Sequence, residues 1–154
     1  MMNAYEKAQK VMVELFQKDY QFALATSKDN NPSIRYIDTY YTEDIFYVVT
    51  YALSQKVREI MENSQVSLCH ELHRFRGKAY NIGHPLKEEN LEIRDKLIDV
   101  FQPWYFAHNN ESDENMCYLK IVLEEGFVCK DGIGYKVNFK DKTAEEFPFE
   151  LGVV

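Results

Sequence analysis

The chain has 154 residues, 45% of them hydrophobic and 14% aromatic, enough to bury one substantial core and few enough to predict a single domain, 1–154. A formal net charge of −7 argues against nucleic acid or an anionic membrane as the main partner, because no surplus of Lys and Arg exists to displace counterions. Three scattered cysteines, Cys69, Cys117 and Cys129, fit reduced thiols. The N-terminal stretch is charged and reads as neither a leader nor a membrane span, so a soluble cytoplasmic protein is expected.

Residues 3–18 place Ala4, Ala8, Val11, Met12, Leu15 and Phe16 at helical spacing, which predicts a docking helix with one buried face. Three strands are expected next, Gln21 to Ser27, Ser33 to Tyr41 and Asp44 to Thr50, joined by polar turns as an antiparallel meander. A helix from Ser54 to about Asn63 is read with Val57, Ile60 and Met61 buried. Strands Gln65 to Leu72 and Phe75 to Ile82 follow, and Gly83-His-Pro85 then breaks the chain. A second helix, Leu86 to about Phe101, carries Leu91, Leu97, Ile98 and Phe101 on one side. The last third reads as a strand from Met116 to Cys129, a turn at Asp131-Gly132 and a strand from Tyr135 to Phe139. Six to seven short antiparallel strands with inserted helices predict a mainly β, α+β architecture, a small closed or partly open barrel without repeats or linkers.

Chemistry concentrates where the third strand ends. Thr50 closes an apolar run, Ser54 stands at the N-cap of the next helix, and Lys56 and Arg58 fall at N2 and N4. Cations there oppose the helix macrodipole at about a few tenths of a kcal/mol each, and a bound anion reverses the sign. The first helix amides, the hydroxyls of Thr50 and Ser54 and the Lys56 ammonium can then converge on one phosphate. Val57 at N3 is not an acid, so no capping box competes for those amides. Strand alternation sets Arg35 and Ile37 on one face and Tyr36 and Asp38 on the other, so Arg35 can reach toward Thr50 on the neighbouring strand.

The ordered pieces Phe22-Ala-Leu-Ala-Thr26, Ser33-Ile-Arg-Tyr-Ile37, Phe46-Tyr-Val-Val-Thr50, Ser54-Gln-Lys56, Asn63-Ser-Gln-Val-Ser-Leu68 and Arg76-Gly-Lys-Ala79 together resemble the pyridoxamine 5′-phosphate oxidase-like split-barrel flavoproteins. The resemblance covers roughly residues 20–82. It implies an antiparallel split β-barrel with FMN as cofactor. Arg35, Ser54 and Lys56 would hold the phosphate, Thr50 and Gln55 would lie nearby, and backbone groups of Tyr36, Ile37, Val49 and Tyr51 would line the isoalloxazine ring. It further implies a homodimer with shared flavin sites and a small-molecule substrate, with NAD(P)H a candidate partner.

Two departures narrow that expectation. The oxidases proper carry a Lys near the position of Tyr40, and their Arg-rich C-terminal substrate segment has no counterpart in Glu145–Val154, so oxidation of vitamin B6 phosphates is not expected. The nitroimidazole-reductase relatives tend to carry a His at about Val49, which tells against a His-dependent version of that activity. What remains is an FMN-dependent oxidoreductase of some small molecule. The competing readings are a flavin carrier or sensor without turnover, and a haem-handling split barrel using His84 or His108. The cluster Cys69-His-Glu-Leu-His73 invites a metal, but His70 and His73 are expected on opposite sides of a strand and no metal is assigned. The aromatic group Trp104-Tyr-Phe106 fits a flavin wall, a dimer contact or plain packing.

Overall fold

Alternating buried and exposed residues build Tyr20–Lys28 (β1), Asn31–Thr42 (β2) and Ile45–Tyr51 (β3) into the expected meander, in a computed structural model that describes residues 1–150. Its hairpin turns, Asp29-Asn30 and Glu43-Asp44, have positive φ at both positions, the conformation that matches the twist of the flanking strands. The sheet continues through Gln65–His70 (β4), His73–Gly83 (β5), Met116–Lys130 (β6), Ile133–Asn138 (β7) and Thr143–Pro148 (β8). Strand order is β3-β2-β1-β4-β5-β6-β7-β8, and β3 also pairs with β6. Six strands therefore close a barrel, and β7 and β8 extend the sheet beyond the closure.

Two helices plug the barrel from opposite ends. Ala4–Phe16 (α1), capped by the Asn3 side chain on the Glu6 amide, buries Ala8, Met12 and Phe16. It is tied to the β2–β3 turn where the Tyr5 and Tyr41 hydroxyls donate to Asp44, at 2.6 and 3.0 Å, alongside Gln9. Gln55–Glu62 (α2) closes the other end with Val57, Glu59 and Ile60 buried. Met61, expected inside, is 68% exposed. The helix is rotated so that the Glu59 carboxyl can meet a partner within the barrel wall, and Met61 turns outward.

The single helix expected over Leu86–Phe101 is two pieces, a 3-10 turn Glu88–Asn90 and a helix Leu91–Val100 (α3), followed by an unanticipated short helix Tyr105–His108 (α4). The break is made by Asn90, whose buried amide donates to the carbonyls of Ile82 and His84, both at 2.9 Å. Leu97 and Phe101 are buried as read, whereas Leu91 is exposed. These helices form a second core on the outer face of β3 and β6, with Tyr40, Met116 and Tyr118. The His70–His73 expectation is also corrected. The two histidines are register partners across a two-residue β4–β5 turn, where their side chains share a face. Among the described residues no group of three His, Cys, Asp or Glu could hold a metal ion, and no helix is long and apolar enough to cross a membrane.

A polar network seals the second core. Glu111 accepts two bonds from the Arg94 guanidinium, at 2.8 and 2.7 Å, and one from the Tyr105 hydroxyl at 2.9 Å, which also meets the Tyr118 hydroxyl at 2.6 Å. Arg94 holds the Glu111 carboxyl below the usual carboxylate range, while burial pushes the Tyr118 phenol up to about 12. Because the folded pKa of Glu111 is depressed, its stabilisation is complete at neutral pH. It is lost as pH falls from the unfolded carboxylate range through the lower folded value. Glu111→Gln is therefore expected to cost about 2 kcal/mol at pH 7 and clearly less in acid, read from urea midpoints of both proteins across pH. A deficit that does not shrink with falling pH would contradict the pairing.

Candidate functional site

The β2–β3 hairpin is zipped only at its closed end, and the site begins where it opens. Its partners are Thr42↔Ile45, Tyr41↔Phe46 and Tyr40↔Tyr47, and there the ladder stops. Continuing the register would set Ile37 against Thr50 and Tyr36 against Tyr51. From Asn31 to Thr39 β2 pairs with β1 alone, while β3 stays paired with β6 from Ile45 to Tyr51. The strands splay apart, leaving facing backbone edges that a planar, hydrogen-bonding ligand could satisfy. The four residues expected to line a ring, Tyr36, Ile37, Val49 and Tyr51, border this gap. Tyr36 is 73% exposed on the outer face, Ile37 is buried in the main core, and Val49 and Tyr51 pack against the second core. The Tyr51 hydroxyl accepts the Asn110 amide proton at 3.0 Å and so ties the loop after α4 to the mouth of the gap.

The gap ends at the start of α2. Ser54 occupies the N-cap position but makes no side-chain cap bond. Its hydroxyl turns back and donates to the Tyr51 carbonyl at 2.8 Å. The expectation that the Ser54 hydroxyl caps the helix is thus corrected: the Tyr51 carbonyl, which also accepts the Ser54 amide at 3.1 Å, takes its proton. The helix amides gain no intrachain cap, and the Ser54 oxygen keeps only its acceptor capacity. Thr50 is buried inside the barrel, and Gln55 is exposed beside the cradle.

Arg35 and Lys56, brought from β2 and α2, meet at this end. Neither makes an ion pair among the described residues. Burial lowers the Lys56 pKa, and the adjacent Arg35 charge lowers it further. Burial likewise lowers that of Arg35, opposed by the Glu59 carboxylate. Two half-buried cations that repel one another beside uncapped amides form an unfavourable arrangement, which an anion would neutralise. Burial also raises the neighbouring Cys117 thiol to about 11, so it stays protonated and inert at neutral pH.

Two partners went unread in the sequence. The Arg35 guanidinium donates to the Thr26 hydroxyl oxygen at 2.7 Å and the Leu24 carbonyl at 3.3 Å, and the Thr26 hydroxyl donates to Glu59 at 3.2 Å. Glu59 is 6% exposed. A single sequence gives no signal for burying one glutamate on a charged helix, because such residues usually face solvent. Of the aromatic group after α3, Trp104 stacks on Phe101 and donates to Asp19 at 2.7 Å, Tyr105 is core, and Phe106 is exposed.

A closed six-stranded antiparallel barrel, split between two neighbouring strands and ending in a cationic helix start, defines a split-barrel protein. The family model described as pyridoxamine 5′-phosphate oxidase matches residues 8–128, and the chain belongs to that family. No curated protein matches the sequence. Among solved structures, a NimC/NimA family protein of Clostridium acetobutylicum shares the fold at 18% identity and TM-score 0.59, over 96% of this chain and 97% of that one. A FAD-binding protein of Mesorhizobium loti is similar at 15% identity and TM-score 0.60, over 79% and 90%. A heme binding protein of Mycobacterium smegmatis is similar at 12% identity and TM-score 0.66, over 92% of this chain and 60% of that one.

Proposed function

We propose that this chain is an FMN-binding flavoprotein acting as an oxidoreductase on a small molecule, as a homodimer with shared flavin sites. The observation that carries the reading is the unzipped β2–β3 edge ending at Arg35 and Lys56, two cations that make no direct ion pair among the described residues. A phosphate monoester fits the cationic end and a flat heterocycle with donors and acceptors along its rim fits the open strand edges. FMN combines both. When bound it supplies the electron sink, and the chain's tasks are to anchor the phosphate, orient the ring and exclude water.

Pyridoxamine phosphate is not the proposed substrate. Near the position where the oxidases proper carry a Lys stands Tyr40, which is buried among Leu97, Phe101 and Tyr118 and offers no cation to a second phosphate. The test is the visible spectrum of purified protein reconstituted with FMN, followed by anaerobic addition of NADH or NADPH. A flavin spectrum that bleaches and recovers with an acceptor supports the enzyme, and bound but inert flavin supports a carrier. A Soret band with no flavin would overturn the proposal in favour of haem. Sedimentation at micromolar concentration is expected to give about twice 18.2 kDa, and a monomer retaining stoichiometric flavin would contradict the shared site.

A further inference from the structure

The helix that opens the cradle also carries the group that aims its second cation. We infer that Glu59 is a positioning residue, which acts through Thr26 to hold the Arg35 guanidinium at the phosphate end of the β2–β3 split. The inference rests on the phosphate reading above and extends it to residues that touch no ligand.

The proton count fixes the direction of the relay. Arg35 can only donate, so the Thr26 oxygen receives its N–H, and the single Thr26 hydroxyl proton must then go elsewhere. Glu59 is where it goes. A carboxylate accepts unconditionally, so Arg35→Thr26→Glu59 has one arrangement, whereas a neutral amide at position 59 admits two. The Leu24 carbonyl supplies the second anchor on the same Arg35 nitrogen, Nη1. That leaves Nε and Nη2 without partners among the described residues and available to an incoming oxyanion.

Placement supports the same reading. Glu59 lies three residues after Lys56, so both project from adjacent turns of one helix face. The helix thereby fixes Lys56 directly and Arg35 indirectly, and the spacing between the two cations is built into one rigid element. A carboxylate this deeply buried is costly without a cation and a hydrogen bond, and Arg35 and Thr26 provide them. The Thr26 hydroxyl lies between the two charges, so Glu59 steadies Arg35 without occupying the N–H groups a phosphate would need.

The test titrates the full chain with FMN and with riboflavin, as wild type, Glu59→Gln, Thr26→Val, Arg35→Ala and the Glu59→Gln/Arg35→Ala pair. Nitrogen-15 spectra of the Arg35 guanidinium are recorded before ligand is added. Glu59→Gln is expected to weaken FMN about tenfold and riboflavin less than about twofold. Thr26→Val, which changes no charge, carries the same expectation should Glu59→Gln prove too unstable to titrate. The double variant is expected to bind FMN no worse than Arg35→Ala alone, because residues acting through one another are not additive. The Arg35 Nη signals, resolved in wild type, are expected to merge in Glu59→Gln as the guanidinium turns freely. Equal loss of both ligands, additive loss in the pair or an unchanged guanidinium spectrum overturns the inference. If wild type does not distinguish FMN from riboflavin, the phosphate reading fails alone and the guanidinium spectrum still decides for or against Glu59.

Discussion

Lys56→Glu is expected to raise the Kd for FMN by about a thousandfold, close to 4 kcal/mol, while riboflavin changes by less than about threefold. The size follows from geometry: the ammonium is half-buried, so its attraction for a phosphate is poorly screened, and reversing its sign turns that attraction into repulsion. The selectivity follows from chemistry, since riboflavin offers the same ring and ribityl chain with no charge. Stability of the ligand-free protein is expected to move the opposite way. Glu at N2 complements the helix dipole where Lys opposes it, and it relieves the repulsion between position 56 and Arg35. A gain of about 1 kcal/mol, or about 3 °C in Tm, is expected without ligand. Paired titrations and calorimetry check both signs. Equal loss of the two flavins would remove the phosphate from this end of the barrel, and a falling apo Tm would show that Lys56 already has an intrachain role.

That opposition explains why the candidate site was partly legible in the sequence. A lysine at N2 followed by an arginine at N4 runs against the helix dipole, and such local conflicts gather where function outweighs stability. Alternation in β2 similarly set Arg35 with Ile37 on one face and Tyr36 with Asp38 on the other, and the first pair is the more buried. The split itself was not readable from residue patterns, because whether Ile37 and Tyr36 keep pairing with β3 depends on how β1 and β6, the outer neighbours of β2 and β3, curve the two strands apart as the barrel closes. Glu59 was missed because burying an acid depends on a hydroxyl from β1 and a guanidinium from β2 arriving together. The face of α2 was misread for the same reason, with Met61 given the inward place. Edge strand β8 escaped because Thr-Ala-Glu-Glu-Phe-Pro is charged, ends in proline and pairs only with β7, the usual character of an edge. The turns were easier: Asp131-Gly132 has the positive φ that its residue types favour.

Phe16→Ala is expected to carry the largest stability cost, about 4 kcal/mol, at the barrel end far from the cradle. The ring is fully buried, 0% exposed, at the last turn of α1. It lies within 4.8 to 5.9 Å, centroid to centroid, of Tyr20, Phe22, Phe46, His73 and Phe75. Those rings come from β1, β3 and β5, so one side chain joins the helix to three staves of the barrel. Several meet it edge to face, an arrangement that adds to plain burial. Truncation to Ala leaves a cavity that rigid strands cannot collapse to fill, so the cost includes the void as well as the lost transfer energy. Burial also lowers the His73 pKa, which keeps that ring neutral beside Phe16, and water admitted by the cavity would ease its protonation. The variant's deficit relative to wild type should therefore shrink in mild acid, because wild type keeps the more depressed folded pKa and loses more stability once pH drops below the unfolded value. FMN affinity of the folded fraction is expected to stay within about threefold, since Phe16 shares no contact with Arg35 or Lys56. Urea unfolding at two pH values and a flavin titration separate these effects. A cost below about 1.5 kcal/mol would mean that α1 is a loosely docked cover rather than the plug of the barrel.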